Sequence, residues 1–168
     1  MTLEPVPDLL ADSTRAYRRA LGAFATGVCV MTVEGPDGAI GLTANSFASV
    51  SLDPRLIVWS IDLRSERHAA FAAAGRFGVH VLRAGDSARA DRFARGDWRI
   101  APDELLPAPG AAPRLPDVMT WLDCAVHQRL PMGDHLMLIG RVERFDAEGG
   151  DGLTYFGGRY GTARETAT

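Results

Sequence analysis

Short apolar segments separated by turn residues recur along this chain of 168 residues and limit its fold more than any other feature. The segments "VCVMTV", "RLIVWSID" and "RFGVHVL" are rich in β-branched and aromatic residues, which favour strands. Between the first segment and "IGLTANSF", Pro36, Asp37 and Gly38 stand in turn positions and predict a hairpin. Hairpin-joined strands without a repeated βαβ alternation predict a mainly β fold, a closed or nearly closed antiparallel barrel with helices packed outside.

The remaining elements follow from periodicity. Tyr17, Ala20, Leu21 and Phe24 have helical spacing, which predicts an amphipathic helix that begins near residue 12 or 13 and ends at Gly27. Two shorter helices are predicted over residues 65–75 and 86–96. Further strands are predicted over residues 118–130 and 134–146, and a short strand followed by a Gly-rich tail after residue 149.

Residues 99–117, here called the Pro-rich segment, contain five prolines. Proline removes a backbone donor and fixes φ, so regular structure is not expected here. The sequence predicts a surface loop that is a candidate lid.

Composition narrows the class of partner. The net charge is -3 with scattered basic residues, so we expect neither a nucleic-acid nor an anionic-membrane surface, but small-molecule ligands. Cys29 and Cys124 lack the spacing of a zinc site or a disulfide framework, and we expect no metal. We also expect a cytoplasmic protein, because neither a leader sequence nor an apolar run of membrane-spanning length is recognisable.

The stretch "GLTANSFASVSLDP", residues 41–54, is polar yet carries no charge before Asp53, and we call it the polar stretch. One interpretation is a strand end whose side chains bond locally to the backbone. The other is a cradle for a phosphate or a flavin ring, because hydroxyls, an amide and backbone N–H groups bind such ligands without a buried counter-charge. The chain lacks a GxGxxG turn and a Walker loop, which argues against the Rossmann and P-loop classes.

Six segments in order, "AFATGVCVMTV", "GLTANSFASVSLDPRLIVWSID", "FGVHVL", "WLDCAV", "GDHLMLIGRV" and "GRYG", resemble the flavin reductase family of the FMN-binding split barrel. The resemblance runs from about residue 15 to residue 161. It implies a homodimer of six-stranded antiparallel Greek-key split barrels with peripheral helices. The expected domain spans residues 13–162, between flexible segments at 1–12 and 163–168.

The resemblance also implies an activity. Members of this family are NAD(P)H:flavin oxidoreductases that transfer hydride from nicotinamide to FMN or FAD and supply reduced flavin to a separate monooxygenase. Two alternatives remain open at this point: an FMN-dependent oxidase of the pyridoxamine-phosphate oxidase type, and a non-catalytic flavin- or haem-binding module. No catalytic acid or base is obligatory for the favoured reaction, because the cofactor supplies the chemistry.

Positions carried over from the family give a set of candidate site residues. The predicted flavin-binding residues are Thr26, Gly27, Val28, Thr43, Ala44, Asn45, Ser46, Phe47, Ser49, Val50, Ser51, Ser65, Arg67 and His68. The predicted nicotinamide-binding residues are His135, Arg159, Tyr160 and Gly161, with His135 also the candidate catalytic residue. His80 stands where the family usually has Asn, so the sequence leaves its role open.

Overall fold

The computed structural model describes residues 7–165, with side chains from Ser13 onward. It contains three α-helices and one 3-10 turn, α1 (Pro7–Gly22), α2 (His68–Ala73), α3 (Ser87–Arg95) and the turn Pro102–Glu104. The strands are β1 (Thr26–Gly27), β2 (Cys29–Gly35), β3 (Gly38–Ala44), β4 (Ala48–Leu52), β5 (Arg55–Asp62), β6 (Arg76–Val81), β7 (Thr120–Met132), β8 (His135–Ala147), β9 (Gly152–Phe156) and β10 (Arg159–Ala163).

Two antiparallel sheets organise these strands. The large sheet has the order β3-β2-β6-β7-β8-β5-β4, and the small sheet has the order β1-β9-β10. The mainly β, antiparallel prediction is confirmed. The large sheet has seven strands where six were predicted, because the short strand β4 pairs with β5 at one edge.

The predicted hairpin between β2 and β3 is confirmed, with Gly35 opposite Gly38 at its tip. Gly38 has φ 110°, a left-handed conformation that glycine adopts without steric cost. The Gly-rich tail predicted after a single short strand is instead a second hairpin, in which Tyr160 pairs with Tyr155. The glycines responsible are Gly157 and Gly158, both with positive φ, so they form the turn of a hairpin.

One cluster of buried apolar residues, here called the inner cluster, lies on the concave side of the large sheet. Its members come from β2, β3, β5, β6, β7, β8 and α2. At its centre the Trp59 ring meets Phe71 and Phe77 edge to face, with centroids 5.1 and 5.9 Å apart. Strands from across the sheet bury side chains in one shared cluster, so the sheet is curved around it. Gly140 keeps this packing close, because a Cβ there would lie 2.5 Å from the Phe77 ring.

A second cluster of buried apolar residues, here called the outer cluster, lies where α3 and the Pro-rich segment pack against the other side of β2. Its buried residues are Val28, Val30, Ala39, Leu82, Ala90, Phe93, Ile100, Leu115, Val118, Trp121 and Leu153. Burial of this apolar surface holds α3 at a defined position beside β3.

The Pro-rich segment, predicted to be a surface loop and a candidate lid, has many exposed residues and is anchored to the sheet by hydrogen bonds. Thr32 Oγ1 donates a hydrogen bond to the carbonyl oxygen of Pro113 at 2.6 Å. The backbone N–H of Ala112 donates to Asp123 Oδ1 at 3.0 Å, and that of Leu115 to His80 Nε2 at 3.0 Å. The segment contains one short regular element, the 3-10 turn Pro102–Glu104, and buried acceptors on the sheet satisfy backbone N–H groups at Ala112 and Leu115.

The buried carboxylate of Asp123 is matched by two arginines. Its Oδ2 lies 2.7 Å from Arg76 Nη1 and 2.9 Å from Arg144 Nε. A carboxylate with no solvent exposure requires such partners, because desolvating a lone charge is costly. This ion-pair cluster therefore fixes the Pro-rich segment through Ala112.

The first helix differs from its prediction. It begins at Pro7 and ends at Gly22, so residues 7–12, predicted to be flexible, are part of α1, and Phe24 lies beyond its end. At the other terminus, β10 extends to Ala163, one residue past the predicted domain limit. The remainder of the predicted flexible ends, residues 1–6 and 166–168, lies outside the described residues, and the domain limits stay a prediction.

Candidate functional site

A cleft of about 600 Å³ opens where β3 and β5 end beside α3. Its lining is Leu42, Thr43, Ala44, Asn45, Ser46, Ser60, Ile61, Asp62, Arg64, Ser65, Glu66, Arg67, Ala94, Arg95, Gly96, Trp98 and His135. The lining therefore combines apolar strand residues, uncharged polar groups and charged side chains. A cavity of this size and character is suited to a small organic ligand.

The polar stretch supplies one wall of the cleft. Thr43 Oγ1 donates to the carbonyl oxygen of Ala90 at 2.7 Å, which ties β3 to α3. The Ser46 hydroxyl donates to the carbonyl oxygen of Ser60 and accepts from its backbone N–H, both at 3.1 Å. Asn45 is exposed and also lines two grooves that adjoin the cleft. The two hydroxyls thus hold the wall in place, and the Asn45 amide faces open space.

Arg67 lines the cleft and links its walls through hydrogen bonds to backbone carbonyls. Its Nη1 donates to the carbonyl oxygens of Phe93, at 2.6 Å, and of Gly41, at 3.4 Å. Its Nε is buried and has no hydrogen-bond partner among the described residues. Burial lowers the pKa of Arg67 from its ordinary value. An unpaired buried N–H at a cleft wall favours a bound acceptor, because an unsatisfied donor is costly.

Close approach of α3 to β3 depends on a missing side chain. A Cβ at Gly41 would lie 2.5 Å from the Phe93 ring, whereas real Cβ contacts are longer. The Gly41 N–H donates to the carbonyl oxygen of Trp98 at 2.8 Å, which brings the residues after α3 to the cleft. Trp98 lines the cleft as a result.

His135 begins β8 and pairs with Asp62 at the end of β5. Its Nδ1 lies 2.7 Å from Asp134 Oδ1, and its side chain is 40% exposed. Hydrogen bonds from Arg64 lower the pKa of Asp62 to about 2. The wall beside His135 therefore carries an ionised carboxylate paired with a guanidinium at neutral pH.

The end of α3 adds residues that the sequence did not predict. Ala94, Arg95, Gly96 and Trp98 line the cleft. The only sequence signal near them was the helix end at residue 96, which carries no chemistry by itself. Arg95 Nη2 lies 2.9 Å from Asp91 Oδ1, one helical turn earlier.

Two grooves continue the cleft beyond Asn45. The tail groove, of about 430 Å³, is lined by Val28, Thr43, Asn45, Ala94, Arg95, Tyr155, Gly158 and Tyr160. The N-terminal groove, of about 490 Å³, is lined by Arg15, Arg18, Arg19, Leu21, Gly22, Phe24, Thr26, Asn45, Tyr155, Gly157 and Gly158. Tyr160 joins the tail groove to α3, since its hydroxyl donates to Asp91 Oδ1 at 3.3 Å.

The structure brings only part of the predicted set to the cleft. The predicted residues that line it are Thr43, Ala44, Asn45, Ser46, Ser65, Arg67 and His135. Val28 and Tyr160 line the tail groove, and Thr26 lines the N-terminal groove with its hydroxyl buried and without a partner in the described part of the chain. The predicted residues that line neither the cleft nor the two grooves of the single chain are Gly27, Phe47, Ser49, Val50, Ser51, His68, Arg159 and Gly161.

Five of these eight residues lie on elements with other surroundings. Phe47 packs against the inner cluster. Ser49, Val50 and Ser51 lie on edge strand β4, where Val50 is 53% exposed. His68 begins α2, and its Nε2 is buried without a partner among residues 7–165.

His80 lies away from the cleft, in the buried contact with the Pro-rich segment. It is fully buried, with Nδ1 3.0 Å from the Val30 carbonyl oxygen. The structure therefore assigns this residue, whose role the sequence left open, to the anchoring of that segment.

Residues 7–165 contain no group of three or more His, Cys, Asp or Glu arranged to hold a metal ion, and no helix with the length and hydropathy of a membrane span. Cys29 and Cys124 are free and buried, and burial raises the pKa of each thiol to about 12. Neither thiol is therefore an activated nucleophile.

The chain is similar in sequence and in fold to proteins with known activities. Residues 21–164 match the family model described as the flavin reductase like domain. The chain is 41% identical over 157 residues to the FMN reductase (NADH) SmoA of Agrobacterium fabrum, which covers 89% of this chain and 86% of that protein. The chain spans about half the length of two other relatives, a probable flavin reductase of Rhizobium meliloti, at 49%, and the reductase component of a trigonelline monooxygenase of Acinetobacter baylyi, at 51%.

Solved structures show the same fold. BorF, the flavin reductase component of a bacterial two-component tryptophan halogenase, superimposes with a TM-score of 0.82 at 32% identity, over 91% of this chain and 99% of that one. SgcE6, an NADH:FAD oxidoreductase of Streptomyces globisporus solved with NAD and FAD fragments, superimposes with a TM-score of 0.81 at 32% identity, over 99% and 98%. Both similarities extend over nearly the whole chain.

Proposed function

This chain belongs to the flavin reductase family and is an NAD(P)H-dependent flavin oxidoreductase, and we propose that its cleft binds the ring of FMN or FAD with reduced nicotinamide stacked against it. The placement of the flavin ring rests on the cleft itself, because the polar stretch forms one of its walls. The family match covers residues 21–164, which include that stretch. This favours the second interpretation of the polar stretch, a ring cradle.

The residues present fit a flavin. A ring with both donors and acceptors needs uncharged polar partners, and Asn45 and the strand end around it offer them. The Nε of Arg67 is buried and has no partner among the described residues, so it favours a ligand that places a hydrogen-bond acceptor beside this side chain. Ser65 and Arg67 are the candidates to bind the flavin phosphate. Ser65 Oγ already accepts the backbone N–H of Arg67 at 3.3 Å, which shapes this turn.

When bound, flavin accepts a hydride from reduced nicotinamide, and the chain's own residues have to orient the two rings. The bonds of Thr43 to α3 and of Ser46 to β5 fix the wall on which a ring would lie. Trp98 and Ile61 supply apolar surface at the same cleft and exclude water there. The wall is therefore preorganised and does not have to be ordered on binding.

His135 is the candidate catalytic residue. Its Nδ1 is engaged by Asp134 at 2.7 Å, which leaves Nε2 as the ring nitrogen available to a ligand. A contact with Asp134 favours the tautomer with hydrogen on Nδ1 and an acceptor at Nε2, and protonation would make Nε2 a donor. We propose that His135 positions the nicotinamide or holds a proton at Nε2 during transfer.

We further propose a homodimer. Large apolar side chains are exposed on α1 and after it, with Tyr17 65%, Leu21 56% and Phe24 76% exposed. On β4, Leu52 is 90% exposed. A second copy that covers these surfaces would bring Ser49, Val50 and Ser51 of the polar stretch toward a ligand site, which explains their absence from the cleft of the single chain.

A separate flavin-dependent oxygenase is the proposed consumer of the product. Relatives named as reductase components of two-component enzymes support this partner. Two free, buried thiols are compatible with a reducing compartment, and we propose a cytoplasmic location.

One assay tests the function. NADH oxidation is followed with FMN, FAD and riboflavin in turn, and a rate that scales with added flavin is expected. Turnover of pyridoxamine phosphate would instead support the oxidase, and tight flavin binding without NADH oxidation would support a binding module. Sedimentation velocity of the flavin-loaded protein at micromolar concentration tests the dimer, and a stable monomer would contradict it.

A further inference from the structure

We propose that Arg95, at the end of α3, binds a phosphate of the nicotinamide dinucleotide and so determines affinity for that substrate. The proposal rests on the proposed function and on the sequence-based prediction that Tyr160, which lines the tail groove, contacts the nicotinamide dinucleotide. Neither the sequence pattern nor the family resemblance predicts a role for Arg95.

Arg95 lies at the junction of the two spaces that a pair of ligands would share. It lines both the cleft and the tail groove, together with Thr43, Asn45 and Ala94. A group at this junction contacts a ligand that extends from the cleft toward Tyr160. Reduced nicotinamide joined to a diphosphate is such a ligand, because its ring and its anionic part are separated by a ribose.

The other two arginines of the cleft are less accessible or already paired with a carboxylate. Arg64 directs Nε and Nη2 at the two oxygens of Asp62, at 3.2 and 2.9 Å. Arg67 is half-buried and directs Nη1 at two backbone carbonyls. Within residues 7–165, the Arg95 guanidinium makes one hydrogen bond, from Nη2 to Asp91, and its side chain is 80% exposed. Two of its three nitrogens are therefore open to an anion.

Asp91 links Arg95 to the tail hairpin. Its Oδ1 accepts from Arg95 Nη2 at 2.9 Å and from the Tyr160 hydroxyl at 3.3 Å. Tyr160 in turn packs edge to face on Tyr155, with centroids 5.5 Å apart. The guanidinium is thus held on the side of the groove where the dinucleotide is proposed to lie. Nη2 carries a second N–H besides the one that Asp91 accepts, and together with the neighbouring open nitrogen it can donate two parallel hydrogen bonds to a phosphate.

The test compares Arg95→Gln with Arg141→Gln. Arg141 is 55% exposed, pairs with Glu143 at 2.9 Å and does not line the cleft or the grooves, so its variant controls for the loss of one surface arginine. Binding of ADP-ribose, which carries the diphosphate without nicotinamide, is measured by calorimetry on FMN-loaded protein. We expect affinity to fall about tenfold or more in Arg95→Gln and to stay within about twofold in Arg141→Gln.

Steady-state kinetics identify the source of the phosphate. In Arg95→Gln, KM for NADH should rise, while kcat/KM for 1-benzyl-1,4-dihydronicotinamide, which has no phosphate, should stay at the wild-type value. The ratio of KM for FMN to KM for riboflavin should also be unchanged.

Three results would overturn the proposal. Unchanged ADP-ribose affinity would show that Arg95 is only a surface partner of Asp91. Equal losses with NADH and the benzyl donor would indicate a distorted cleft. A rise in KM for FMN but not for riboflavin would assign Arg95 to the flavin phosphate. Failure of the wild-type protein to oxidise either donor would instead count against the reductase function, so the two failures are distinguishable.

Discussion

His80 Nε2 accepts a hydrogen bond from the backbone N–H of Leu115 at 3.0 Å, inside the protein and away from the cleft. On the other side of the ring, Nδ1 lies 3.0 Å from the Val30 carbonyl oxygen. The pair fixes the neutral tautomer with hydrogen on Nδ1, because one nitrogen faces a donor and the other an acceptor. Burial lowers the pKa of His80 to about 4.

Stability should therefore fall in mild acid. The unfolded chain takes up a proton at His80 near pH 6.5, whereas the folded protein resists it down to about pH 4. The stabilisation is fully present above about pH 6.5 and is lost as the pH falls from there to about 4, by about 3 kcal/mol in all. Urea unfolding at a series of pH values measures this change.

The control for this prediction is His80→Gln, which keeps a donor and an acceptor on an uncharged side chain. This variant should have a lower free energy of unfolding at neutral pH. Between pH 6.5 and 4, it should lack the part of the pH dependence of that free energy that comes from His80. An identical pH slope in both proteins would show that other groups cause the acid loss.

Gly41→Ala should destabilise the protein and weaken flavin binding together. The added Cβ would meet the Phe93 ring at 2.5 Å, so α3 must shift away from β3 and from the cleft wall. We expect a loss of about 1 to 3 kcal/mol in the free energy of unfolding. Gly75→Ala is the matched control, because a Cβ at Gly75 has no neighbour within 4 Å. Equal stability of the two variants would contradict the close packing of α3 on β3.

Ser46→Ala should lower flavin affinity more than Ser49→Ala. Ser46 bonds twice to the backbone of Ser60 at the cleft, whereas Ser49 is exposed on β4, outside the cleft lining of the single chain. Without the Ser46 hydroxyl the cleft wall loses its hydrogen bonds to Ser60 and is less well ordered for the flavin ring. We expect this to cost about 1 kcal/mol of flavin-binding free energy, which is roughly a fivefold change in the dissociation constant. Fluorescence titration with FMN measures it. Equal losses in both variants would indicate that Ser49 also contacts the flavin, as the proposed dimer allows.

His135→Ala should reduce turnover with NADH and leave flavin affinity nearly intact. A fall in kcat with little change in KM would indicate a contact made mainly at hydride transfer, and a rise in KM alone would indicate docking. His127→Ala is the control, since His127 is exposed on β7 and does not line the cleft. Wild-type kcat and KM in the His135 variant would remove its catalytic assignment.

Much of the local structure was predictable because it depends on neighbours in the chain. The hairpin around Gly38 and strand β5 follow from turn chemistry and alternation within a few residues, and both were predicted. The family, and with it the activity, followed from six ordered segments. Residues 43–46 line the cleft together because they are the end of β3 and the two residues directly after it.

Only the tertiary structure decided what depends on distant partners. Arg95 and Trp98 reached the cleft because α3 packs on β3 across Gly41, a contact that no local pattern encodes. The Pro-rich segment is anchored because its backbone finds buried acceptors at His80 and Asp123, far away in sequence. Propensity describes a residue and its neighbours, whereas packing and hydrogen-bond satisfaction are settled by whichever surfaces the folded chain brings together.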